Sequence, residues 1–199
     1  MLSVEYITNR VFNSRTYILT RPNCGIVWLV DCGDTDRVLE RIKGIRVEGV
    51  LLTHTHSDHI YGLAALMDYF PDVTIITNAY GVKALGSPNL NISHYHSEYP
   101  DIAIDCKKNV RTLTDGDYLD IMGVNVHAYE TPGHDASCLT YIIEDKIFTG
   151  DAFIPGVRVF TGFPHSNRKQ AQESVVRIIE MAKDLSIMPG HTLHEKEIY

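Results

Sequence analysis

No segment of this chain contains the run of roughly 20 apolar residues that a membrane-spanning helix requires. The opening residues, Met1 to Tyr6, include polar side chains and begin no long apolar stretch, unlike a secretory signal peptide. The sequence therefore predicts a cytoplasmic protein that does not engage a membrane.

Basic residues are also scarce. The 199 residues include 18 lysines and arginines against 25 aspartates and glutamates, which gives a formal net charge of −7. Since binding to a nucleic acid backbone needs a basic surface, we expect a small-molecule substrate and no nucleic acid partner. The length and the 44% hydrophobic content predict one compact domain over residues 1–199.

The four cysteines do not have the spacing of a metal-binding or redox-active pair. Cys24, Cys32, Cys106 and Cys138 form no Cys-x-x-Cys pair, so neither a structural zinc site nor a thioredoxin-type site is predicted. Buried free thiols are expected instead. The chain also lacks the Gly-x-Ser-x-Gly motif that presents a nucleophilic serine, so hydrolysis would have to rely on other groups.

Histidine, in contrast, is plentiful, and three of the ten histidines fall within residues 53–59. Imidazole and carboxylate groups are the ligands that suit zinc, iron and manganese. Alternate side chains of an extended backbone share a face, so His54, His56 and Asp58 would point the same way. His59 would point elsewhere, unless the chain turns into a helix at this place.

The flanking sequence predicts such a turn. Residues 49–53 form a short apolar run typical of a buried strand. After His59, the apolar residues Ile60, Leu63, Ala64 and Met67 recur at helical spacing, and Pro71 follows. The motif would then lie at a strand-to-helix junction, where the binding sites of layered α/β proteins collect.

Three later segments end a predicted strand in a similar way. Strands are predicted at 124–129, at 139–143 with 146–148 as a hairpin, and at 185–187. Each is followed by a glycine and then by one candidate ligand: His134 after Gly133, Asp151 after Gly150, and His191 after Gly190. Glycine permits the close backbone approach that packing around a metal requires.

The run Thr53-His54-Thr55-His56-Ser57-Asp58-His59, followed in order by His134, Asp151 and His191, resembles the metallo-β-lactamase superfamily and most of all its glyoxalase II branch. The similarity extends from about residue 13 to residue 191. It includes Asp31-Cys32-Gly33, where the family has an Asp-x-Gly turn after an early strand. The resemblance implies an α/β fold, a four-layer αββα sandwich with metal ions at one edge.

The resemblance also implies how the ligands divide between two divalent metal ions. Each metal would take three side chains: His54, His56 and His134 at the first position, and Asp58, His59 and His191 at the second. Asp151 would bridge the two positions and Asp31 would support them from behind. Zinc is the expected metal, with iron and manganese as alternatives because the same ligand types accept them.

Two cations that share a water lower its pKa from about 16 to near 7, so that hydroxide can attack an electrophilic carbonyl at neutral pH. The leading hypothesis is a metallo-hydrolase that cleaves a thioester, ester or lactone, as in the glyoxalase II branch. Asp58 and Asp151 would be catalytic, because they would both ligate metal and orient the water. An iron-dependent persulfide dioxygenase and a β-lactam hydrolase are the alternatives.

Glyoxalase II proteins add a C-terminal helical domain that helps to bind glutathione. The chain stops eight residues after His191, so the sequence predicts that this domain is missing. A homodimer is left open, because no sequence feature requires one.

Two loops are predicted to shape the substrate pocket. Residues 89–100 form a long polar and aromatic loop whose His94-Tyr95-His96 segment is assigned a surface or lid role rather than a third metal. A second loop, residues 153–167, follows Asp151. Arg158 within this loop, or Arg168 just beyond it, could hold a substrate carboxylate. The equally weighted alternative is that these arginines are solvated and bind no substrate.

The sequence also predicts where two helices begin and where one of them ends. Asn78 is predicted to cap a short helix that Gly86 ends. Asn167 and Gln170 form a capping box at the start of the clearest helix. Its predicted buried stripe comprises Ala171, Val175, Ile178, Ile179 and Ala182.

Overall fold

The structure is a computed structural model that describes residues 1–96, 100–105 and 108–191. Cys106, residues 97–99 of the predicted lid loop, and the last eight residues of the predicted domain lie outside the described residues. None of the described helices has the length and apolar character needed to cross a bilayer.

Six strands form the first sheet, in the order β1-β2-β3-β4-β5-β6. Their bounds are β1 Ser3–Thr8, β2 Arg15–Thr20, β3 Ile26–Val30, β4 Arg46–Leu51, β5 Thr74–Thr77 and β6 Val110–Thr112. The first three strands are antiparallel, and β3 to β6 are parallel. Parallel strands are covered on both faces, which explains the continuous apolar run of β3.

Four helices accompany this sheet: α1 Thr35–Ile42, α2 Ser57–Ile60, α3 Leu63–Tyr69 and α4 Ala79–Leu85. Asn78 caps α4 by accepting a hydrogen bond from the backbone N–H of Gly81, and Gly86 ends the helix, as predicted. A 3₁₀ turn at Ser93–Tyr95 lies within the predicted loop 89–100.

The single helix predicted after His59 is wrong, because α2 and α3 are separate. The chain breaks at Gly62, whose backbone N–H donates to the carbonyl of Cys32. A side chain at Gly62 would collide with the carbonyl of Gly33. Leu66 rather than Ala64 is buried beside Leu63 as a result.

Five strands form the second sheet, in the order β11-β10-β9-β8-β7. Their bounds are β7 Tyr118–Ile121, β8 Val124–Glu130, β9 Leu139–Ile143, β10 Lys146–Gly150 and β11 Ser186–Pro189. The predicted hairpin is β9 with β10, which are antiparallel, while β11 pairs with β10 in parallel.

Three groups of buried apolar side chains separate the layers of the sandwich. The central group joins the two sheets, with Tyr17 and Leu51 from the first and Tyr141 and Phe148 from the second. A second group packs α1 and α3 against the outer face of the first sheet. A third packs the long helix α5 (Arg168–Met181) against the second sheet. The four-layer αββα sandwich predicted from the sequence is therefore confirmed.

Helix α5 begins at the predicted residue, since the Asn167 side chain accepts hydrogen bonds from the backbone N–H groups of Lys169 and Gln170. The other half of the predicted capping box is wrong, because the backbone N–H of Asn167 donates to the carbonyl of Gly133. Its buried face was only partly predicted. Ala171, Ser174 and Ile178 are buried, whereas Ile179 is 51% exposed. The prediction for Ile179 was wrong because only a narrow stripe of this helix contacts the sheet beneath it.

Candidate metal centre

All seven predicted ligands follow the carboxyl ends of strands. The residues that follow β4 are His54, His56, Asp58 and His59; His134 follows β8, Asp151 follows β10 and His191 follows β11. Because these four strands end at the same edge of the sandwich, the structure brings side chains up to 137 positions apart into one cluster (191 − 54).

Two groups of three side chains within the cluster match the division expected from the sequence. His54, His56 and His134 have ligand atoms within 4.8 Å of one another, and so do Asp58, His59 and His191. A third group joins Asp151 to His54 and His59, so this carboxylate lies between the other two. We refer to the first two groups as the first and the second triad.

The predicted common face of His54, His56 and Asp58 is wrong for Asp58. The backbone of His56 is still extended, but α2 begins at Ser57, so Asp58 already lies on a helix. Its Oδ2 atom is directed to the second triad, 3.4 Å from His59 Nε2 and 3.3 Å from His191 Nε2. The turn into a helix thus separates Asp58 from His54 and His56 and places it in the second triad.

Four of the five imidazoles are held in the same way, with Nδ1 turned outward. His134 Nδ1 donates to the carbonyl of Phe160 at 2.9 Å, and His191 Nδ1 donates to that of Phe12 at 2.8 Å. His59 Nδ1 lies 2.9 Å from Asp31 Oδ2, and His54 Nδ1 lies 3.2 Å from a Thr53 hydroxyl. A neutral ring that donates through Nδ1 leaves Nε2 free to bind a metal.

His56 has the opposite orientation. Its Nδ1 atom lies 2.9 Å from His134 Nε2, inside the first triad, while its Nε2 atom lies 3.6 Å from Asp135 Oδ2. The buried Asp135 is itself held by the backbone N–H and hydroxyl of Ser137. Asp135 was not predicted from the sequence, although its position directly after the candidate ligand His134 is a signal that could have identified it.

Asp31 has the supporting position that the resemblance implied. Besides His59, its carboxylate accepts hydrogen bonds from the backbone N–H and the hydroxyl of Thr53, both at 2.7 Å. Burial raises the pKa of Asp31, and this effect is opposed by the neighbouring His59. One carboxylate therefore orients His59 directly and His54 through Thr53.

The glycines beside the candidate ligands are required by the packing. Gly133 and Gly150 have positive φ angles of 131° and 51°, which side chains rarely tolerate. A side chain at Gly190 would collide with the carboxylate of Asp151. The close backbone approach predicted from the sequence is confirmed at Gly190.

The two triads differ in charge. Burial lowers the pKa of His54 well below its usual value, and burial together with the neighbouring His56 lowers the pKa of His134 to about 4. Burial also lowers the pKa of His59 and His191, but the nearby carboxylates of Asp58 and Asp151 raise it by more. The pKa of His59 is raised to about 9 and that of His191 to about 11.

The difference predicts unequal proton release on metal loading. At pH 7 the His54 and His134 rings are neutral, so a cation that binds at the first triad displaces few protons from them. The Nε2 atoms of His59 and His191 lie 3.2 Å apart, and because the pKa values of both rings are raised, a second cation must displace protons from them. Metal-stripped protein can be titrated with zinc by calorimetry in buffers of different ionisation enthalpy. Protons should be released mainly when the second zinc binds. Equal release in both steps would contradict this charge distribution.

The chemistry of the donor set fits divalent cations. Among the described residues, His54 Nε2 and Asp151 Oδ1 are buried and have no hydrogen-bond partner. Buried polar atoms are nearly always partnered, so orphaned atoms that face one another indicate a bound ion. Five imidazoles and two carboxylates are also the ligand types that zinc, iron and manganese accept.

A cavity of about 310 Å³ opens above the cluster. Its walls, apart from the candidate ligands, are apolar or aromatic: Phe12, Ile92, His96, Phe160 and Phe163. Within the predicted lid loop, His96 thus reaches the cavity, whereas His94 is exposed and lies 3.2 Å from Asp101. Phe12 was not predicted to line the cavity, because it lies far from every motif in the sequence.

Comparison with known proteins agrees with the geometry. A family model described as the metallo-beta-lactamase superfamily matches residues 10–191, which include all seven candidate ligands. A curated hydroxyacylglutathione hydrolase from Aeromonas salmonicida is 29% identical over 167 residues, covering 82% of this chain and 56% of that protein. The chain therefore spans about half the length of this relative.

Solved structures share the fold. The BLEG-1 B3 metallo-beta-lactamase is similar with a TM-score of 0.86 and 21% identity, covering 96% of this chain and 92% of that one. A di-iron-bound form of TTHA1623 is similar with a TM-score of 0.78 and 20% identity, covering 95% and 92%. At this level of identity the similarity concerns the architecture.

Proposed function

Because the chain belongs to the metallo-β-lactamase superfamily, we propose that it is a metallo-hydrolase that cleaves a thioester, with esters and lactones as related substrates. The observation that carries the proposal is the position of Asp151 between two complete triads. The hydroxyacylglutathione hydrolase relative supports a thioester as the first substrate class to test.

Two divalent cations are part of the proposal, with zinc as the first candidate. His54, His56 and His134 would hold one, Asp58, His59 and His191 the other, and Asp151 would contact both. When bound, such a pair supplies an activated water near neutral pH and Lewis-acid stabilisation of a carbonyl oxygen.

The protein's own residues would bind and orient the reactants. Asp58 and Asp151 are the carboxylates closest to the centre of the cluster, where they can accept hydrogen bonds from a water and fix its direction. The pKa of Asp151, despite its burial, lies well below the usual value because His191 and His59 are beside it, so it stays ionised. Phe160 and Phe163 would exclude bulk water from the acyl group.

Arg158 is the better placed of the two candidate arginines. It lines a small cavity of about 70 Å³ together with His134 and Asp151. Arg168 instead lines a separate cavity of about 360 Å³ beside α5, which Arg158 also borders. Neither guanidinium has a hydrogen bond or an ion pair with another described residue. Arg158 would hold an anionic group on the leaving part of the substrate.

The Arg158→Ala variant is therefore expected to raise KM for an anionic thioester about tenfold, the size of a charge-assisted hydrogen bond, with little change in kcat. The matched Arg168→Ala variant should change neither parameter. Steady-state kinetics with an anionic and a neutral thioester measure the effect, and an equal rise in KM for both substrates would argue against a role in charge recognition.

A substrate panel tests the proposed function itself. The zinc-loaded and iron-loaded protein would be assayed with S-lactoylglutathione, a lactone, a β-lactam and a persulfide. Thioester cleavage that disappears on chelation is the expected result. Oxygen uptake with the persulfide, or preferred cleavage of the β-lactam, would overturn the thioesterase proposal in favour of the alternatives.

A further inference from the structure

The turn that joins β1 to β2 packs against the second triad. It comprises residues 9–14 and is called the N-terminal turn below. Phe12 and Asn13 lie in its centre with φ angles of 50° and 55°. A left-handed conformation is unfavourable for a bulky aromatic residue and persists where surrounding contacts maintain it, often at functional sites.

Two contacts join this turn to ligands of the second triad. The carbonyl of Phe12 accepts the hydrogen bond from His191 Nδ1 at 2.8 Å. The hydroxyl of Ser14 donates to the backbone carbonyl of Asp58, also at 2.8 Å. In addition, Ser14 forms an antiparallel bridge with His191, and the backbone N–H of Arg15 donates to the carbonyl of Gly190.

A buried hydrogen-bond network holds the turn in this conformation. Asn9 Nδ2 donates to the hydroxyls of Ser14 and Thr16, both at 3.1 Å, and Asn9 Oδ1 accepts from the backbone N–H of Asp34 at 3.0 Å. Asn9, Ser14 and Thr16 are at most 1% exposed. Because the Ser14 oxygen accepts from Asn9, its own proton is directed to Asp58.

The first triad is held by a different part of the chain. The Nδ1 atom of His134 donates to Phe160, and His54 is oriented through Thr53. Ser166 supplies a bond that corresponds to that of Ser14, since its hydroxyl donates to the backbone carbonyl of His134 at 2.7 Å. Within the part of the chain that the structure describes, the N-terminal turn is therefore hydrogen-bonded to ligands of the second triad and not to those of the first.

We propose that the N-terminal turn sets the affinity of the second metal position, with Ser14 and Phe12 as its positioning residues. This inference rests on the two-cation site of the proposed function. Ser14 fixes the backbone from which Asp58 projects, and Phe12 fixes the ring of His191 with Nε2 facing inward. Loosening the turn would convert a two-metal site into a one-metal site without disturbing the first triad.

The test is a stepwise zinc titration of metal-stripped protein against a chromophoric chelator. Ser14→Ala is expected to weaken binding of the second zinc about tenfold or more, the usual effect of losing a contact that orients a ligand, and to leave the first unchanged. The matched Ser166→Ala variant should leave the second zinc unaffected. Thermal unfolding of the zinc-free proteins checks that each variant is folded.

A second variant covers the case in which Ser14→Ala does not fold. Phe12 is half-exposed, so Phe12→Pro should fold, and its ring, which fixes φ at about −65° instead of 50°, should displace the carbonyl that holds His191 and also weaken the second zinc selectively. Unchanged second-zinc affinity in the folded variants, or an equal loss of both zinc ions, would overturn the inference. If the unaltered protein itself bound only one zinc, the proposed two-cation function would fail instead.

Discussion

The Asp151→Asn variant is expected to lower kcat about a thousandfold, the upper range for loss of one electrostatic stabiliser, and to reduce the metal content below two per chain. The carboxylate of Asp151 lies 3.6 Å from His59 Nε2, 3.7 Å from His134 Nε2 and 3.1 Å from His191 Nε2. An asparagine has nearly the same size, but it removes the charge that the two proposed metal positions would share. The affinities of both metal positions should therefore fall.

The experiment combines metal analysis by mass spectrometry with steady-state kinetics on the thioester that the panel identifies. Asp145→Asn is the matched control, because Asp145 is exposed and pairs only with Lys146 at the surface among the described residues. A variant at Asp151 that kept two metals and turned over within about tenfold of the unaltered protein would exclude a bridging role on this scale of effects.

The Asp58→Ala or His59→Ala variant is expected to empty the second metal position and to lower kcat by at least roughly a hundredfold. In contrast to Asp151→Asn, the Asp58→Ala substitution should not disturb the first triad, since the ligand group that contains Asp58 is completed by His59 and His191. Asp58→Ala is the cleaner experiment, because His59 also lies beside His54 of the first triad, and His59→Ala would deprive the buried Asp31 of one of its hydrogen-bond partners.

The measurement is the number of metals per chain together with kcat, at zinc concentrations that saturate the first position. We expect the variant to retain one metal per chain and little activity. Near-normal turnover with one metal per chain would refute the two-metal scheme and would favour chemistry at a single ion.

The local sequence predicted those parts of the molecule that depend on short-range patterns. The apolar run at the end of β4, the asparagine caps of α4 and α5, and the glycines beside the candidate ligands follow from the conformations these residues prefer. The sandwich and the division of ligands came from the resemblance, because no local pattern brings His191 to His59.

Other features depend on tertiary contacts and were beyond prediction. Helix α2 separates from α3 because Gly62 packs against Gly33 from another segment. Ile179 is exposed because the sheet covers only part of α5. Asn9, Ser14 and Phe12 are ordinary turn residues in the sequence, and only the fold shows that they contact the ligands of the second triad.

The central claim is that seven side chains from four separate segments hold two cations. Anomalous X-ray scattering at the zinc edge, from crystals of the zinc-loaded protein, tests it most directly. We predict two anomalous peaks, one beside His54, His56 and His134 and one beside Asp58, His59 and His191, with Asp151 in contact with both. Crystals with ample zinc but no peak among these residues would contradict the account.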